Sequence, residues 1–310
     1  MFFYIIRRLL WTPVLLLTVS FVTFFLALYG PGDPIQVLLG QHQNPEIRAR
    51  IAAQRGLDRP FHEQYARYLW NAVQGDLGES LKFRGQPVAE LLAGKIWTSA
   101  KLGMVALAIG LAVGIPLGLV VANKQGTWLD PFVVSIALFF SSLPVFITAP
   151  VLLLVFVIWL GLMPSAGWAG GLTDPRLVMP AIVMSLPSIA GLVRLMRAST
   201  LDVLGQEFVR TARSKGLTEI AVQSRHVARN ALIPVITVVG LSLGTLVEGA
   251  FITETIFGIP GVGRLAVDSL FARDYPVIMA MTLLIAVSFV LANLLVDITY
   301  AFIDPRIRYQ

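Results

Sequence analysis

The sequence of 310 residues contains no cysteine. That excludes a disulfide framework, thiol catalysis and cysteine-ligated metal, while leaving the compartment open. Charge is scarce too: 14% of residues are Asp, Glu, Lys or Arg, against about 25% in soluble domains. The three histidines, His42, His62 and His226, are scattered without metal-ligand spacing. The Gly94-Lys95 pair has Ala89 where a phosphate-binding loop needs its first glycine. No His-Glu-x-x-His helix occurs. These absences argue against an enzyme, and any active transport would need an outside energy source.

What is present is apolar. Hydrophobic residues make up 56% of the chain and mean hydropathy is +0.76, the composition of a membrane protein. A bilayer core about 30 Å thick takes roughly 20 helical residues to cross. Six runs meet that length, near residues 9–29, 98–122, 133–161, 177–195, 232–253 and 276–302. The third is over-long and carries Pro144 and Pro150, which predicts a kink or tilt. The first follows Arg7 and Arg8 and is too long for the core of a secretory signal, so it reads as a retained anchor. The expected fold is an all-α membrane protein with six transmembrane helices in one domain, residues 1–310.

Charge sets the expected orientation. With the N-terminus inside, the cytoplasm receives 123–132, 196–231 and 303–310, holding Lys124, six basic residues (Arg197, Arg210, Arg213, Lys215, Arg225, Arg229), Arg306 and Arg308. The short outside loops, 162–176 and 254–275, carry Arg176, Arg264 and Arg273 against Asp174, Glu254, Asp268 and Asp274. This bias agrees with the positive-inside rule and with cytoplasmic N- and C-termini. Inserting the six cations of 196–231 would cost roughly 15–20 kcal/mol on insertion scales, so that stretch stays in water.

Residues 31–97 read as a folded, mostly helical extracytoplasmic insertion. "NPEIRARIAAQRG" places Asn44 at the N-cap, Pro45 at the first helical position and Gly56 past the end. "PFHEQYARYLWNAVQG" puts Phe61, Tyr65, Tyr68, Leu69, Ala72 and Val73 on one face and stops at Gly75. These short amphipathic helices are expected to pack on their own bundle.

Within 196–231, Gly216 divides two helices. Phe208, Val209 and Ala212 form a small apolar face on a basic helix, and Thr218 caps the next helix. Such a face suits docking into a partner's groove, with contact to anionic lipid as an alternative; nucleic acid is not expected. Acids in or beside the spans are Glu248, Glu254 and Asp297; Glu248 is a candidate for an aqueous pathway. Gly110, Gly114 and Gly118 recur every four residues, and Gly240 and Gly244 repeat the spacing, which favours close helix packing.

Several motifs in order carry a resemblance: "RRLL" at the start, "GDP" at 32–34, "GDLGES" at 75–80, "RTARSKGL" with "RHVARNALIP", "TETIFGIPGVGRL" at 253–265, and the terminal "DPRIRY". Over essentially the whole chain the sequence resembles a permease subunit of ATP-binding-cassette importers of the dipeptide/oligopeptide/nickel group. Two departures stand out: Arg210-Thr211-Ala212 replaces the broader importer triplet Glu-Ala-Ala, and Trp97 stands where many relatives have proline. The resemblance implies the type I importer permease fold in a bacterial or archaeal cytoplasmic membrane. It implies a coupling helix over 210–216, with Arg210, Thr211, Ala212, Arg213, Lys215 and Gly216 meeting an ATPase. The implied partners are a second, non-identical permease, one or two ATPase subunits that bind the ATP and Mg this chain does not, and an extracytoplasmic binding protein. The competing classes are a self-sufficient secondary carrier or channel, and a membrane-embedded enzyme.

Overall fold

The computed structural model describes residues 2–30, 45–83, 85–168, 170–245 and 250–303. Its helices in order are α1 Phe2–Tyr29, α2 Pro45–Arg55, α3 Phe61–Val73, α4 Val88–Asn123, α5 Leu129–Ser142 and α6 Val145–Leu153, continued by a π-helical stretch, Leu154–Trp159. There follow α7 Val178–Leu204, α8 Glu207–Ser214 and α9 Glu219–Ala221. A second π-helical stretch, Val222–Ala228, then leads into α10 Arg229–Thr245. The chain closes with α11 Phe251–Ile256, α12 Val262–Ala272 and α13 Tyr275–Ile303. Among the described residues the only strand-like pairing is an isolated bridge between Glu79 and Pro87.

Among the described residues four helices are long and apolar enough to cross a membrane: Leu10–Tyr29, Val88–Asn123, Pro175–Leu204 and Tyr275–Leu294. The expected third span is α5 and α6, bent by 102° at the break before Pro144. Proline removes a backbone donor and holds the preceding residue extended, and Leu143 has ψ 120°. Pro150, by contrast, sits inside α6. The expected fifth span is covered up to Thr245 by the 17 residues of α10, about 25 Å at 1.5 Å per residue. Six uninterrupted spans are therefore not reached among the described residues.

The axis of the bundle is the pair α4 and α7, the most extensive helix contact among the described residues. The glycines of α4 make it possible. A Cβ at Gly114 would lie 2.7 Å from Leu192 Cβ, and one at Gly118 would lie 2.7 Å from both Met196 Cβ and the Val193 carbonyl oxygen. A Cβ at Gly110 would strike the Ser188 hydroxyl. Without side chains at these three positions the two backbones approach closely over two turns. Leu192 and Met196 then pack with Ala231 and Val235 of α10. Gly240 and Gly244 lie within α10.

The α2 helix spans Pro45–Arg55 and is closed by Gly56 at φ 67°; Asn44, its expected N-cap, lies outside the described residues. On α3 the aromatic face packs on α1. Tyr65 Oη donates to the Leu17 carbonyl at 3.0 Å and lies 2.9 Å from Ser20 Oγ, with Phe21 and Phe24 against its ring. The expected face is not wholly covered, since Val73 is 84% exposed. The run that carries the second span begins as helix at Val88, ten residues before Thr98, because its first turns are packed. Val88 and Leu92 are buried against Val262 and Leu265 of α12 and Val277 and Met281 of α13.

Candidate functional site

The polar stretch after α7 folds as a compact helical loop. The chain reverses at Gly216, whose φ of 76° is the left-handed region that a side chain opposes. Its amide donates to the Arg213 carbonyl at 2.9 Å, closing α8. Thr218 caps the returning helix, its hydroxyl accepting from the Ala221 amide at 3.4 Å. Arg213 binds Glu219 across the turn through Nε at 3.2 Å and Nη2 at 2.8 Å. That hydrogen bond, helped by one from Gln223, holds the Glu219 carboxyl below its ordinary value, and Glu219 holds the guanidinium of Arg213 above its own.

The reversal changes the reading of the apolar face. Val209 and Ala212 are buried against Val222 and Val227 of this same loop, with Val203 and Leu204 of α7 beside them. Periodicity identifies an apolar face but not what covers it, and here the chain covers most of it. Phe208 remains 42% exposed, and Leu217 and Ile220 join it at 41% and 83%. The exposed surface of the loop therefore carries Phe208, Leu217 and Ile220 among exposed Arg210, Thr211 and Lys215, with Ala212 beneath it.

Two polar contacts fasten this loop end of the bundle. Arg197 of α7 binds Asp130, at the start of α5, through Nε at 2.6 Å and Nη2 at 2.7 Å. Gln223 and Asn123, at the end of α4, exchange amide hydrogen bonds of 2.6 and 3.2 Å.

At the far end of α4 lies a second polar centre. Glu254 of α11 is fully buried. Its Oε1 accepts from Ser99 Oγ at 2.6 Å and from the Ala250 amide at 3.2 Å; its Oε2 accepts from the Arg264 amide at 2.9 Å. Ser99 Oγ in turn accepts from the Val262 amide at 2.8 Å. Nearby, Lys101 donates to the Gly170 carbonyl at 3.1 Å, and Trp168 and Phe257 are buried in one cluster with Leu102. Glu248, the candidate pathway residue, lies outside the described residues, and the side chain of Asp297 is not among those described.

The two ends thus separate the expected residues. Arg210, Thr211, Ala212, Arg213, Lys215 and Gly216 share the loop, and Gly110, Gly114 and Gly118 line the helix pair that leads away from it. Sequence reasoning missed Ser99, Asp130, Arg197 and Lys101 as site residues. Lys101 carried a signal, being a cation inside an apolar run. Among the described residues no group of three or more His, Asp or Glu is placed to hold a metal ion.

Long apolar helices joined to a folded, basic loop define an integral membrane protein. The chain belongs to the family described as "Binding-protein-dependent transport system inner membrane component", whose model matches residues 114–309; the model of that family's N-terminal region matches residues 1–82. It is 38% identical to the dipeptide transport system permease protein DppB of Escherichia coli K12, over 99% of each chain. It is equally identical, at 38% over 99% of each, to the oligopeptide transport system permease protein OppB of Haemophilus influenzae. A putative peptide transport system permease protein of Brucella abortus is 39% identical over 99% of each chain. Among solved structures, a chain of the MetNI methionine ABC transporter superposes with a TM-score of 0.58 at 17% identity, covering 69% of this chain and 97% of that one. An amino acid ABC transporter chain gives a TM-score of 0.52 at 16% identity, covering 69% and 94%. These likenesses support the type I permease fold.

Proposed function

We propose that this chain is one permease half of an ATP-driven importer, carrying dipeptides, oligopeptides or related small solutes that an extracytoplasmic binding protein delivers. The observation that carries the reading is the folded loop at Gly216 on a family member 38% identical to dipeptide and oligopeptide permeases over 99% of its length. The loop, residues 196–231, faces the cytoplasm, as do both termini, and residues 31–97 lie outside. Arg210, Thr211, Arg213, Lys215 and Gly216 couple to an ATPase subunit, and Ala212 supports that surface from beneath.

The mechanism is alternating access. ATP and Mg bind to the ATPase subunits, whose closure carries the coupling loops inward. The α4–α7 pair, rooted in this loop through the Gln223–Asn123 bonds, transmits the movement to the far end. The chain itself catalyses no bond chemistry. It pairs with a second, non-identical permease in the cytoplasmic membrane, and Glu248 lines the pathway.

The test is purification of the complex from its native membrane through a tag on this chain, with the subunits identified by mass spectrometry. The expected result is a second permease and one or two ATPases of the ATP-binding-cassette type. A complex containing this chain alone contradicts the proposal.

A further inference from the structure

The helix α12 is pinned at both ends by buried acids. At its N-terminus the Glu254 carboxylate accepts from the Arg264 amide at 2.9 Å, and Ser99 Oγ accepts from the Val262 amide at 2.8 Å. Two side chains from two other helices therefore satisfy amides that the first turn leaves open. Just beyond its C-terminus stands Asp274, also fully buried. Its carboxylate accepts from the Ser80 hydroxyl, from the Leu81 amide at 3.0 Å and from the Lys82 amide at 3.1 Å. Among the described residues neither acid forms an ion pair. Both are held by hydroxyl and amide donors alone.

The donors have a common origin. Ser80, Leu81 and Lys82 precede α4 by a few residues, and Ser99 lies at the start of its fourth turn, so both pins fasten α12 to the head of the same helix. Between the pins an apolar core joins the parts: Val88 and Leu92 of α4 against Val262 and Leu265 of α12. The packing around Ser99 and Glu254 leaves no slack. Gly261 has φ −98°, which any residue adopts, yet a Cβ there would strike the Glu254 carboxyl and approach Ser99 Oγ to 2.5 Å. A Cβ on Gly263 would come within 2.5 Å of the Phe251 amide nitrogen. At its other end α4, about 54 Å long, meets the coupling loop through Asn123.

We propose that Ser99 and Glu254, seconded by Asp274, are positioning residues that bind the α11–α12 cap to the head of α4, so that cap and helix travel as one body during transport. The proposal rests on the importer reading given above. It assigns the "TETIFGIPGVGRL" motif a mechanical role: Glu254 is the pin, and Gly261 and Gly263 are the space it needs. Movement entering at the coupling loop then reaches the outer mouth through α4, with no separate hinge between helix and cap.

The chain lacks cysteine, so spin labels can be placed at single introduced cysteines, with partner subunits in cysteine-free form. Trp97 on α4 and Phe271 on α12 are 61% and 84% exposed and suit labelling. In the assembled complex the Trp97→Cys/Phe271→Cys distance is expected to be the same without nucleotide and with ATP trapped. A shift of several ångströms between those states overturns the proposal. In a second arm, Ser99→Ala and Gly261→Ala are expected to raise the ATP hydrolysed per solute imported about tenfold. An unchanged ratio in both Ser99→Ala and Gly261→Ala overturns it as well. If those variants fail to assemble, the label distance in the parent background decides. Failure of the unmodified complex to import at all would instead remove the importer reading.

Discussion

Arg197 grips both carboxylate oxygens of Asp130, at 2.6 and 2.7 Å, across 67 residues of sequence. The pair is partly sheltered, with side-chain exposures of 28% for Arg197 and 9% for Asp130. It joins α7, which leads into the loop at Gly216, to the first half of the bent α5–α6 unit. A bidentate contact of this kind resists both sliding and rotation.

Asp130→Asn keeps the shape but leaves the guanidinium without its counter-charge. It is expected to destabilise the purified protein by about 2 kcal/mol. A thermal-unfolding series with Arg197→Lys and the exchanged pair Asp130→Arg/Arg197→Asp checks this: the exchange should recover part of the loss, whereas additive losses would deny a direct pairing.

The α4 glycines are expected to respond unequally to alanine. At Gly118 the added carbon meets a backbone carbonyl, that of Val193, at 2.7 Å, whereas at Gly110 its nearest neighbour is the rotatable Ser188 hydroxyl. Gly118→Ala should therefore cost about 1–3 kcal/mol by forcing the helices apart, and Gly110→Ala less. Stability of the two variants in matched detergent decides the order.

On the loop at Gly216, proposed to couple to an ATPase, the exposed residues and the buried one should separate two effects. Phe208→Asp and Ile220→Asp change the surface only, so they are expected to weaken ATPase association about tenfold while the loop keeps its fold. Ala212→Glu forces a carboxylate into the Val209–Val222–Val227 cluster and should disorder the loop as well. Hydrogen exchange over 207–228, measured beside ATPase co-purification, distinguishes them.

The Arg213–Glu219 pair gives a pH dependence. The Glu219 carboxyl is lowered by its bond to Arg213, so the pair's contribution is present above the ordinary carboxylate value and is lost as pH falls through the lowered one. The protection factors of the amides at the Gly216 turn, which remove the intrinsic pH dependence of exchange, should stay steady from neutral to mildly acidic pH and fall only below the ordinary Glu range. Glu219→Gln should show the lower protection at neutral pH, with the difference from the parent closing as Glu219 is protonated.

Local features were legible in the sequence because their causes are local. Gly216 marks a reversal, Thr218 a cap, Pro144 a bend, and the four-residue glycine spacing a close helix pair. What stayed hidden depends on residues far apart. Nothing near Ser99 announces Glu254, 155 positions away, and nothing near Asp130 announces Arg197. Val209 and Ala212 show the intermediate case: the apolar face was readable, but its cover came from Val222 and Val227 beyond a turn whose geometry decides which way the chain returns.

The central claim is that this chain imports solute only when an ATPase drives it. The direct measurement is uptake of labelled di- and tripeptides into liposomes containing ATP, with this chain reconstituted alone and then with its partner permease, ATPase subunits and binding protein. The account predicts no uptake by the chain alone and ATP-dependent uptake by the full assembly, abolished by Gly216→Pro. Uptake by the chain alone, indifferent to ATP, would contradict it.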